Sequence, residues 1–156
     1  INGRFNKVQK QIYQIVLSAQ KSAIACIKPG QKVNTPHEIS CDIISTELIK
    51  LGIMKDLNNL TEFYMHRTGH WLGLDVHDVG EYKIDNDFRD FKEGMVTTIE
   101  PGIYIRKDDK IDPKYWNIGI RIEDDVLVTK DGHLVLSKSA VKEVKDIEYL
   151  MSQNIT

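Results

Sequence analysis

The period of the apolar residues changes once along this chain, and that change limits the folds open to it. Val8, Ile12, Ile15, Val16, Ala19, Ala23 and Ile27 recur at three- and four-residue spacing, as on one face of a helix. After Tyr64 the texture is that of strands. Val96-Thr-Thr-Ile99 is β-branched, Gly102-Ile-Tyr-Ile105 continues it past Pro101, and Ile118 to Thr129 alternates in its first half. Helices first and strands afterwards point to an α+β layer architecture.

The helix boundaries are legible. Asn6-Lys-Val-Gln9 fits a capping box with Asn as the N-cap, so a first helix is expected from Lys7 to Ile27, stopped by Lys28-Pro29-Gly30. Thr35 is a candidate N-cap for a second helix, with Pro36 at its first position and Glu38 at its third. Ile39, Ile43, Ile44, Leu48 and Leu51 make its apolar face, and Gly52 stops it. A short helical turn is expected within 55–63, a polar loop over 106–117, a turn at Lys130-Asp-Gly132 and a terminal helix from Glu143 to Met151.

At 156 residues the chain suits one domain with a core that needs no disulfide. A net charge of −2, with Lys and Arg scattered, gives no electrostatic reason to expect nucleic acid or an anionic membrane as partner. Cys26 and Cys41, without CxxC spacing, read as two small core residues of a reduced, cytoplasmic chain. The sequence contains neither a transmembrane run nor a signal-peptide pattern. It opens without Met, in what reads as a loop, and is expected to be a piece of something longer.

The segment His66 to Gly80, HRTGHWLGLDVHDVG, holds three of the five histidines. His66 and His70 have the spacing of a helical zinc pair, but Arg67 stands where a catalytic Glu would follow, and Gly69 disfavours a helix. As an extended segment, His70 and His77 have opposite parity. Either they do different jobs or Gly73 breaks the pleat. Any one of these histidines alone would suit a hydrogen-bonded core position.

Two carboxylates add to this pattern. Glu100 ends an apolar strand, and Glu123 ends Ile118-Gly-Ile-Arg-Ile-Glu, where Ile118, Ile120 and Ile122 share one face and Gly119, Arg121 and Glu123 the other. Carboxylates inside strands are costly to bury unless paired or metal-bound, although Glu123 could also sit on a solvent-facing edge beside Arg121. Imidazole with carboxylates suits zinc, manganese, cobalt or iron, and with them metal-assisted hydrolysis. His37, in the first turn of a helix, and His133, after a turn glycine, read as uninvolved and solvated respectively.

The blocks MHRTGHWLGLDVHDVGEY, TTIEPGIYI and GIRIEDDVLVT, in that order, resemble the C-terminal signatures of aminopeptidase P (Xaa-Pro aminopeptidase), of the pita-bread metallopeptidase family. The two helical segments before them also fit, so the resemblance covers nearly the whole chain. It implies the C-terminal portion of a pita-bread fold, two long helices on a mainly antiparallel curved sheet. It implies His70, Glu100 and Glu123 as metal ligands, with Glu123 bridging two ions and Glu100 also moving protons. His66 and His77 match histidines that face substrate, and Arg121 matches an arginine that orients site groups. The implied cofactors are two divalent ions, Mn²⁺ foremost with Co²⁺ or Zn²⁺ as alternatives. The implied partner is a peptide with proline second, acted on by a homo-oligomer.

The resemblance also implies what lies elsewhere. Two further aspartate ligands belong to strands upstream of the first helix, yet no Asp precedes Asp42. The family's N-terminal domain is likewise expected upstream, leaving residues 1–156 as an incomplete catalytic domain. Two divalent ions carry four positive charges, and Glu100 and Glu123 supply two negative ones. At most one ion, weakly held, and no activity are therefore expected of these residues alone. Prolidase, methionine aminopeptidase and a non-catalytic pita-bread binding module are the alternatives. The filled positions His70, Glu100 and Glu123 weigh against the last, because function is argued from the site.

Overall fold

The computed structural model describes residues 3–153; the start of the expected opening loop, at residues 1 and 2, lies outside them. Helix α1 spans Lys7–Ala25, and Asn6 and Gln9 cap it reciprocally as the sequence predicts. Its face of Ile12, Ile15, Val16, Ala19 and Ala23 is buried. Helix α2 spans Thr35–Lys50, one residue ahead of the expected start. Asn34, not Thr35, is its N-cap residue, but the Asn34 side chain makes no capping bond because Glu38 and Arg67 occupy it.

The buried face of α2 is also rotated from the one expected. Ile44 and Leu48 are fully covered, but so are Ser40 and Ser45, while Ile39, Ile43 and Leu51 are only half-buried. Ser40 satisfies its hydroxyl on the Pro36 carbonyl 2.8 Å away. A 3₁₀ turn at Leu57–Asn59 runs into the short helix α3, Leu60–Phe63. The cysteines also depart from expectation: both are free and half-buried rather than core, and Cys26 caps α1.

The strands are β1 Lys83–Ile84, β2 Asp87–Phe88, β3 Val96–Ile99, β4 Gly102–Ile105, β5 Ile118–Arg121, β6 Asp124–Val128 and β7 His133–Val135. All their pairings are antiparallel. The hairpin β1–β2, not expected from sequence, turns on Asp85 and Asn86 at positive φ, as a tight hairpin requires. Helix α4, Val144–Ser152, closes the chain near the expected place.

One register positions the site. β3 pairs with β6 from Val96↔Leu127 to Ile99↔Asp124, and β4 pairs with β5 from Gly102↔Arg121 to Ile105↔Ile118. The two pairings are one ladder interrupted at Glu100-Pro101 and Ile122-Glu123. Pro101 has no N–H to give, but its carbonyl still accepts from the Ile122 amide at 3.4 Å. Continuing the register by one residue sets Glu100 directly opposite Glu123. The isoleucine face behind them joins the core with Ile103, Ile105 and Ile122.

A buried polar cluster anchors β6 beside this point. Asp124, 3% exposed, accepts from Gln20 of α1 at 2.5 Å, from Ser137 at 2.6 Å and from Lys142 at 3.0 Å. A buried carboxylate with these partners is satisfied, so the start of β6 is tied to α1.

Candidate metal centre

The segment 68–72 lies antiparallel to β3 although it is not a full strand. The amides of Leu72, Thr98 and Glu100 donate to the carbonyls of Val96, His70 and Thr68 at 3.2, 2.9 and 2.6 Å. Trp71 faces Thr97. In this ladder Thr68, His70, Thr98 and Glu100 share one face, so His70 and Glu100 are diagonal neighbours. Gly69 makes the close approach possible, since a Cβ there would stand 2.0 Å from the Thr98 carbonyl oxygen.

His70, Glu100 and Glu123 each offer a ligand atom, all within 4.8 Å of one another. His70 Nδ1 lies 2.9 Å from the Trp71 carbonyl. A carbonyl only accepts, so Nδ1 carries a proton, and Nε2 is the nitrogen turned to the site. Nε2 lies 3.3 Å from Glu100 Oε1. The Glu100 side chain is only 13% exposed; Thr98 Oγ1 donates to it at 3.2 Å, and Arg121 Nε lies 3.7 Å from its other oxygen.

Partial burial first, and the Glu100 charge second, raise the Glu123 carboxyl above its usual range. Like charges directly opposite on a sheet are unfavourable. A cation between the three groups would remove that cost. Hard oxygens with one imidazole and no thiolate fit Mn²⁺, Co²⁺, Zn²⁺ or Fe²⁺.

His70 and Glu100 line a cavity of about 670 Å³, with an apolar wall that includes Val33, Trp71, Phe88 and Phe91. His66 and His77 line it, as does Arg121. His66 Nδ1 donates to the Arg67 carbonyl at 2.8 Å, leaving Nε2 to accept from the Tyr104 hydroxyl at 2.9 Å. His77 is exposed. The chain turns after Gly73, with the Gly73 amide on the Asp75 carbonyl and the Asp78 amide on that of Trp71, and the His70 and His77 rings come to 4.3 Å. Their opposite parity is thus resolved by a turn rather than by opposite faces of one strand.

Two histidines set aside in the sequence take different places. His133 is half-buried, with Nδ1 2.9 Å from the Ile27 carbonyl, rather than solvated. His37 lines the cavity and lies 2.9 Å from the Thr68 hydroxyl. Tyr64, Thr68 and Tyr104, also unremarked in the sequence, complete the hydrogen bonds around these rings. Nothing in local spacing marks His37, because α2 reaches the site only through its packing.

The profile of the family described as metallopeptidase family M24 matches residues 1–130. The chain belongs to metallopeptidase family M24. Among its M24 relatives, the Xaa-Pro aminopeptidase of Haemophilus influenzae is 45% identical over 97% of this chain and 37% of its own length. The Escherichia coli Xaa-Pro aminopeptidase is 42% identical over 97% of this chain and 36% of its own. Human Xaa-Pro aminopeptidase 3 is 41% identical over 98% and 31%. The chain thus spans about a third of the length of these relatives.

Among solved M24 structures, Pseudomonas aeruginosa aminopeptidase PepP superposes with a TM-score of 0.92 at 46% identity, over 97% of this chain and 36% of that one. Escherichia coli aminopeptidase P with the inhibitor Pro-Leu gives 0.89 at 41% identity, over 96% and 36%. The fold is therefore the C-terminal part of the pita-bread fold, mixed α and β, as the sequence blocks implied. M24 membership carries divalent-metal use with it, and the triad is the place in this chain whose donors suit it.

Proposed function

We propose that this chain is the C-terminal catalytic part of an enzyme that releases an N-terminal residue preceding proline. The observation that carries the reading is the convergence of His70, Glu100 and Glu123 within 4.8 Å, with His70 and Glu100 lining the cavity. The identity to Xaa-Pro aminopeptidases over 97% of the chain supports it.

In this reading His70, Glu100 and Glu123 hold two divalent ions, Mn²⁺ foremost, together with two aspartates from outside this chain. Such ions supply Lewis acidity and make water acidic enough to attack a peptide carbonyl at neutral pH. Glu123, opposite Glu100 on the ladder, would supply a carboxylate to hold them. Glu100 takes the proton from the attacking water and passes it to the leaving amine. Arg121, with Nε 3.7 Å from a Glu100 oxygen, keeps Glu100 oriented. His77, exposed over His70, donates a hydrogen bond to the oxyanion that develops on the carbonyl. His66, fixed by Tyr104, shapes the wall against which the proline ring lies.

The enzyme is further proposed to be a cytoplasmic homo-oligomer. Residues 1–156 alone are proposed to be an incomplete, inactive catalytic domain. Among the described residues no helix is long and apolar enough to cross a membrane.

The test is to incubate the full-length protein and Mn²⁺ with an Xaa-Pro-Xaa tripeptide and, separately, an Xaa-Pro dipeptide. Release of the first residue of the tripeptide is expected. Cleavage of the dipeptide alone would make the enzyme a prolidase, and cleavage of neither would favour a binding module.

A further inference from the structure

We propose that His37 is a positioning residue for Glu100, acting as a neutral imidazole through the hydroxyl and carbonyl of Thr68. The inference rests on the reading of Glu100 as a metal ligand.

The hydrogen-bond directions follow from which atoms have alternatives. Tyr64 is buried, 3% exposed, and its hydroxyl bonds Thr68 Oγ1. No other partner for that hydroxyl occurs among the described residues, so it donates, since a buried O–H left unpaired is costly. The Thr68 hydroxyl then donates its own proton to His37 Nδ1 at 2.9 Å. Nδ1 is therefore the unprotonated nitrogen, and Nε2–H points to Cys41 Sγ at 3.6 Å. The chain Tyr64 → Thr68 → His37 → Cys41 is complete only when the imidazole is neutral.

The surroundings keep it neutral. Burial first, then the nearby positive charge of Arg67 and the ring of His66, push His37 down to about 4. A neutral His37 fixes the Thr68 side chain, and Thr68 itself is 1% exposed. The Thr68 carbonyl accepts the Glu100 amide at 2.6 Å, the shortest link between the segment 68–72 and β3. The position of Thr68 thus sets how far Glu100 enters the site, and an element remote in sequence, α2, sets the position of Thr68.

Among the described residues Glu100 makes no other backbone hydrogen bond, and Pro101, which follows it, has no N–H to add one. Partners that orient a ligand from behind are typically worth tenfold to a hundredfold in metal affinity. His37, one bond further out, is assigned the lower end, about tenfold.

The test uses the full-length protein, with Mn²⁺ affinity measured by calorimetry and kcat and KM measured on an Xaa-Pro-Xaa tripeptide. His37→Leu is expected to weaken Mn²⁺ binding about tenfold and lower kcat with little change in KM. His37→Asn, whose amide reaches the place of Nδ1, is expected to recover most of both losses. Thr68→Val, which breaks the same bond from the other side, is expected to match His37→Leu, and the double variant to be no worse than either. Thr68→Ser keeps the hydroxyl and is expected to spare affinity, so this pair decides the matter if the His37 variants do not fold. The inference is overturned if His37→Leu binds Mn²⁺ as tightly as the parent, if Asn is as damaging as Leu, if KM alone rises, or if the two losses add. A parent protein that binds no Mn²⁺, or keeps its affinity in Glu100→Gln, would instead sink the metallopeptidase reading itself.

Discussion

Replacing Glu123 by Gln is expected to stabilise the metal-free 156-residue chain, although it removes a site residue. Glu100 and Glu123 face each other with ligand atoms no more than 4.8 Å apart. At that 4.8 Å limit two unit charges repel by about 0.9 kcal/mol in water and about 3.5 kcal/mol at an effective dielectric of 20. Arg121 offsets part of this, but its side chain is 53% exposed and an ion pair so exposed contributes about 0–1 kcal/mol. Repulsion wins by about 1–2 kcal/mol, which for a chain of this size raises Tm by about 2–8 °C.

The pH dependence fixes the sign. The Glu123 carboxyl is raised in the folded chain, by partial burial first and by Glu100 second. Ionisation therefore favours the unfolded state. The destabilisation is full above the folded pKa and fades as pH falls towards the ordinary glutamate value of about 4.3. The gain from Glu123→Gln should be largest at neutral pH in chelator and should vanish near pH 4. Thermal unfolding followed by circular dichroism, with EDTA across this range, measures it. A variant no more stable than the parent at pH 7, or a gain independent of pH, would refute the opposed-carboxylate account.

Calorimetric titration of the 156-residue chain with Mn²⁺ is expected to give at most one weak site, since three ligands leave positions to water; two tight sites per chain would contradict the charge argument. In the full-length protein, His77→Ala is expected to keep its metal by elemental analysis while losing roughly 10²-fold in turnover; loss of metal would make His77 a ligand instead. Gly69→Ala puts a Cβ 2.0 Å from the Thr98 carbonyl oxygen and should cost about 1–3 kcal/mol by denaturant unfolding, together with weaker Mn²⁺ binding. Unchanged stability there would mean that the segment 68–72 is not held against β3 as described.

What the sequence alone determined about this protein is local in origin. The capping box at Asn6 and Gln9 and the 3.6-residue period made α1 legible, because both depend on neighbours within one turn. Alternation put Arg121 and Glu123 on one face of their strand and the isoleucines on the other, because a strand's parity needs no partner. The three motif blocks named His66, His70, His77, Glu100, Arg121 and Glu123, and the structure brings all of them to one cavity or its edge.

The relations between segments were decided only in the tertiary structure. That Glu100 stands opposite Glu123 is a matter of register, and a shift of one residue would have sent one of them to the core face. The turn after Gly73 brings His77 back over His70, which parity alone could not foretell. The buried face of α2 was misjudged for a related reason. Ser40 and Ser45 are covered, and its side towards the cavity carries His37. A helical period shows which residues share a face. Which face meets the site depends on how the layers dock, and that is set by the summed packing of side chains distant in sequence.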